Sequence, residues 1–71
     1  MTIYAIYYID DGDYDYFMRR EDAMECGSDY IRQIGEDEGW DPQEIASLVD
    51  EFLREEWAYG LCSLEEIEVK E

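Results

Sequence analysis

The residues with the most chemical potential in this chain are carboxylates, and their densest run is Asp10-Asp11-Gly12-Asp13-Tyr14-Asp15. Asp11, Asp13 and Asp15 fall on positions one, three and five of a calcium-binding loop, and Asp22 falls on the twelfth. Such a loop needs a glycine at its sixth position, a helix before it and a bidentate Glu at its end. Here the sixth residue is Tyr16, the preceding segment reads as a strand, and the last ligand is the shorter Asp22. The run is therefore expected to be a solvated hairpin tip that holds no metal. Paired carboxylates can also do acid–base work, but only in a pocket that raises one of their pKa values, and so short a chain has little room for one. There is no histidine, which removes the commonest general base and the usual activator of a nucleophilic Ser or Cys. Cys26 and Cys62 belong to no CxxC pair and read as free, partly buried thiols. No glycine-rich phosphate loop is present. A non-enzymatic protein without a cofactor is expected, and its function is sought in recognition.

Composition points the same way. The 71 residues carry 21 Asp and Glu against 5 Lys and Arg, for a formal net charge of −16. Acidity this dense disperses a chain when apolar residues are scarce. Here 46% of residues are hydrophobic and 15% aromatic, with seven Tyr and two Trp, so one folded acidic domain over residues 1–71 is expected. A core of this size supplies about 3–5 kcal/mol, so like-charge repulsion should be felt and salt should relieve it. No apolar run is long enough to span a bilayer, and MTIYAIYYIDDG lacks the basic leader of a secretion signal. A soluble cytoplasmic protein is expected. Nucleic acids and anionic membranes would repel it, which leaves basic proteins as partners.

These groups must be positioned by a small set of elements. Thr2 to Ile9 is rich in β-branched and aromatic residues and runs into Asp-Gly, a strong hairpin signal. The returning strand is expected over Tyr14 to Met18, with Tyr14, Tyr16 and Met18 on one face and Asp15 and Phe17 on the other. From about Arg20 the spacing becomes helical through Ala23, Gly27, Tyr30, Ile31 and Ile34, with Gly27 a weak spot or a point of close packing and Gly35 ending the helix. Glu36-Asp37-Glu38-Gly39 then reads as a charged connector. Asp41-Pro42-Gln43-Glu44 supplies an N-cap, a proline at the first helical position and a Glu placed for a capping box. The second helix carries Ile45, Leu48, Val49, Phe52, Leu53 and Trp57 on one stripe and is stopped by Gly60. In LEEIEVKE, Ile67 and Val69 alternate with Glu66, Glu68 and Lys70, a strand with one wet face. The order β-β-α-α-β predicts an α+β fold: a small antiparallel sheet with both helices on one face and the last strand beside the first.

Tyr4, Tyr7, Tyr8, Tyr14, Tyr16, Tyr30 and Tyr59 exceed what one small core uses, and the first strand is apolar on both sides. Some tyrosines should therefore stand on the open side of the sheet among Asp15, Glu66 and Glu68. In such an interface phenol rings supply area while carboxylates engage Arg and Lys. With acidity interleaved with aromatics, as in DDGDYDYF and GEDEGWDPQE, the chain resembles the small acidic inhibitors of phages and mobile elements, above all DNA-mimicking anti-CRISPR and anti-restriction proteins. The resemblance lies in size, charge and layout. It implies a stoichiometric inhibitor that occupies the basic nucleic-acid-binding groove of a host defence complex, and it assigns no site residues. From the residues themselves, Asp10, Asp11, Asp13, Tyr14 and Asp15 on the hairpin, Glu36, Asp37, Glu38 and Asp41 between the helices, and Glu66 and Glu68 on the last strand are the expected contacts with a basic nucleic-acid-binding protein. An antitoxin-like or adaptor module for another basic partner, and a halophile-adapted domain, are the competing readings. Monomer and homodimer are both compatible with the sequence.

Overall fold

The chain first reverses at Asp10-Asp11-Gly12, where Gly12 adopts a φ of 71° and its N–H donates to the Tyr8 carbonyl at 2.8 Å. In the computed structural model, which describes residues 1–70, this turn joins β1 (Thr2–Tyr8) to β2 (Asp13–Phe17). There follow α1 (Arg20–Glu38), α2 (Pro42–Glu55), β3 (Trp57–Ala58) and β4 (Cys62–Glu68). The strands form a four-stranded antiparallel sheet in the order β2-β1-β4-β3. The α+β fold is as the sequence predicts, and the long final strand lies beside the first.

Both helices cover one face. α1 lies over the sheet, and α2 packs beside α1 and over β3. Tyr4, Ile6 and Tyr8 of β1 and Cys62 and Leu64 of β4 meet Ala23, Ile31, Val49 and Phe52 from the helices. Ile6, Ile31, Phe52 and Cys62 are the largest side chains removed entirely from solvent.

The ends of both helices differ from those read in the sequence, and each has a tertiary cause. Gly35 lies inside α1, where a Cβ would stand 2.5 Å from Cγ1 of Ile45. It is a point of close approach between helices, as is Gly27 beneath the Phe52 ring. The helix ends four residues later at Gly39, whose φ of 74° closes the C-cap with N–H bonds to the Glu36 and Gly35 carbonyls. Glu36, Asp37 and Glu38 are thus the last turn of α1 and no connector. Likewise α2 stops before Gly60. Glu56 turns left-handed (φ 65°), its N–H donating to Phe52 O at 2.8 Å and its carbonyl accepting from Leu64 N at 2.7 Å. That bend carries Trp57 and Ala58 out of the helical stripe and into pairing with Ser63 and Cys62 as the short strand β3. Gly60 (φ 77°) serves the following turn.

Candidate partner-binding surface

Asp10 and Asp11 stand in the reversal after β1 and Asp13 opens β2, so all three are exposed at the hairpin tip. Asp15 sits two residues on, about 6–7 Å along an extended strand, so the carboxylates are strung out along the hairpin. Its carboxylate accepts a 2.7 Å hydrogen bond from the Tyr8 hydroxyl. Tyr8 Oη also lies 3.2 Å from Cys26 Sγ. Burial first, then these two partners, pushes the Tyr8 phenol far above its ordinary pKa. Cys26 and Cys62 are both free thiols.

The Tyr30 ring rests on Tyr8 with centroids 4.7 Å apart. That contact brings the middle of α1 alongside the hairpin, and the Tyr30 phenol is shifted upward by burial and then by the negative charge of Asp10 and Asp11. Glu36, Asp37 and Glu38 lie about 9–12 Å farther along the helix axis, at the same end of the molecule. Between β1 and α1 runs an open groove of about 450 Å³, bordered by Tyr8 and, from α1, by Asp22, Glu25, Cys26, Asp29, Tyr30 and Gln33. Asp22, Glu25 and Asp29 recur at spacings of three and four, so they share one face of α1. They extend the acidic surface from the hairpin along the helix. Sequence reasoning passed over them, although the complement of the Ala23, Gly27, Ile31 stripe is where an exposed acidic row must fall.

Among the described residues the ion pairs are Arg19 with Glu21, Arg20 with Glu56 and Arg32 with Asp29. No cation pairs there with the hairpin acids or with Glu36, Asp37, Glu38 or Asp41. Asp41 acts locally, its carboxylate capping α2 by accepting from Gln43 N at 2.8 Å.

Glu66 and Glu68 do not join this surface. β4 runs antiparallel to β1, so they sit opposite Tyr4 and Thr2, at the far end of the sheet from the hairpin. Both belong to the helix-side face there. Glu68 accepts a 2.7 Å bond from the Thr2 hydroxyl, and Glu66 lies near the Arg20 guanidinium. The open face is correspondingly less acidic than expected, because Asp15 and Glu66 share the face of Ile6 and Tyr4 while Ile67 stands opposite Ile3 on the outside. Tyr14 is on that open face, its ring 4.8 Å from Tyr7 and 5.9 Å from Tyr16. Tyr14 is therefore separated from Asp13 and Asp15 by the thickness of β2. The carboxylate that does share the open face is Glu65, opposite Ala5.

No family model, curated protein or solved structure matches the chain.

Proposed function

We propose that this protein is a stoichiometric inhibitor that occupies the basic nucleic-acid-binding groove of a host defence complex, in the manner of a DNA mimic. The observation that carries the reading is the alignment of Asp10, Asp11 and Asp13 with the acidic face of α1 and its last turn at one end of a folded scaffold, with almost no compensating cations. At 1.5 Å per residue, Asp22, Glu25, Asp29 and Glu36 lie about 4–10 Å apart along α1. A groove built for duplex DNA expects negative charge every few ångströms, about 3.4 Å along each strand. Arg and Lys placed there for phosphates can engage carboxylates held at comparable intervals, and no chemistry is required of the inhibitor. Removing one side of a buried carboxylate–arginine pair costs about 2–5 kcal/mol, whereas rim pairs act mainly on association rate.

The test captures basic proteins from a host-cell lysate on the immobilised chain at about 0.15 M salt and then challenges each captured protein with labelled duplex DNA. The chain should displace DNA at equimolar ratio. A block variant with Asp10→Asn, Asp11→Asn, Asp13→Asn, Glu36→Gln, Asp37→Asn and Glu38→Gln should lose about tenfold or more in displacement, with its circular dichroism spectrum unchanged. Capture that leaves DNA occupancy untouched would overturn the inhibitor reading in favour of an adaptor or antitoxin-like role.

A further inference from the structure

We propose that the open face of the sheet is a second docking surface, shaped to take arginine side chains of the basic partner; this rests on the reading that the partner is basic. The register sets Tyr14, Tyr7, Ser63 and Trp57 in one row across all four strands. Ser63 is the small residue of that row, flanked by Tyr7 and Trp57 two strands apart, so their Cα atoms are separated by about 9–10 Å. A notch of that width over Ser63, with Tyr7 and Trp57 as its walls, would admit one planar cation. Glu65 follows two residues along β4 on the same face and supplies the negative end. Its charge and its polar contact with the Tyr14 hydroxyl add to burial in raising that phenol, which places the carboxylate over the open face. Tyr59, 82% exposed, meets Trp57 edge-on at 6.3 Å and extends the aromatic wall.

The alternative occupant, a second copy, is opposed on two counts. Two chains of net charge −16 repel, and strands of seven, five, seven and two residues side by side present about 330 Å² of face, less than half of the ~800 Å² per partner in a standard interface. A cation is favoured by the field of the whole molecule and by the ring faces. Arginine suits the notch better than lysine because its guanidinium is planar, weakly hydrated and stacks on aromatic rings while donating to a carboxylate.

The experiment titrates the full chain with an oligo-arginine peptide and with an oligo-lysine peptide of equal length, following backbone amide resonances by NMR. Oligo-arginine should shift the amides of Trp57, Ser63 and Glu65 and bind several-fold more tightly than oligo-lysine. Trp57→Ala should erase that preference and leave oligo-lysine affinity unchanged. Ser63→Leu, which fills the notch and removes no ring, should do the same. Equal affinities, or shifts confined to the hairpin and α1, would overturn the notch while leaving the acidic surface standing; the absence of shifts anywhere would overturn both. A concentration-dependent dimer whose interface maps to Ser63 and Trp57 would also overturn the assignment to a cationic partner.

Discussion

Cys62 shows how tightly single groups are held here. It is fully buried on β4 opposite Tyr8, and burial, followed by the neighbouring Cys26 thiol, pushes its pKa from 9.0 up to about 12. A raised pKa favours the protonated form in the folded state, so this contribution to stability is complete below about pH 9 and is lost as the pH climbs towards 12. Urea midpoints measured from pH 8 upward should fall for the native chain. For Cys62→Ala the fall should be shallower, since the tyrosines with raised pKa values titrate in both proteins; parallel curves would mean that Cys62 is not shielded as described. The same precision explains what was legible at single positions. Asp41 could be recognised as a cap because cap chemistry is local to Asp-Pro-Gln-Glu. Glu56 could not be recognised as the left-handed residue that ends α2, because its conformation is held by Leu64, eight positions away in sequence.

Between elements, glycine decides how closely α1 and α2 approach. An alanine is ordinarily worth up to about 1 kcal/mol over glycine inside a helix. At Gly27 the sign should reverse, because the added methyl would meet the ring of fully buried Phe52, with Cε2 only 2.5 Å away. Overpacking of this kind costs about 1–3 kcal/mol, so thermal denaturation should find Gly27→Ala less stable than the native chain; an equal or higher midpoint would show that the helices can separate at no cost. The hairpin, both helices and the last strand were readable because their signals are periodic or turn-borne. The end of α1 was not, since glycine marks a stop and a close approach with the same letter and only the partner helix distinguishes Gly35 from Gly39. β3 was hidden because Trp57 falls four residues after Leu53 and prolongs the helical stripe. The outward side of β4 was misjudged for a related reason: the helices do not reach over Thr2, Glu66 and Glu68, so the wet residues lie on the nominally covered side and Ile67 lies opposite Ile3 outside. Of the expected site, the hairpin acids and the acids of the α1 terminus come to one end of the molecule, whereas Tyr14 and the β4 acids point elsewhere.

For the molecule as a whole, charge is the main force acting against the fold. With 21 acids against 5 bases and ion pairs on exposed residues that contribute about 0–1 kcal/mol each, repulsion is largely uncompensated. Raising monovalent salt from about 0.15 M to about 1 M shortens the screening length from about 8 to about 3 Å. Relief of about 1 kcal/mol corresponds to a rise of about 4–8 °C in Tm for a chain of this size. Calorimetry in sodium chloride should show that rise, and a flat or falling trend would refute the view that self-repulsion limits stability. Among the described residues no helix is long and apolar enough to cross a membrane. The border strand β3 has a further consequence. A ladder only two residues long offers an arriving polypeptide no stretch of free amides and carbonyls to continue. Whatever meets this protein on that flank must therefore be chosen by its side chains, and backbone zipping, the least selective form of protein association, is closed to it there.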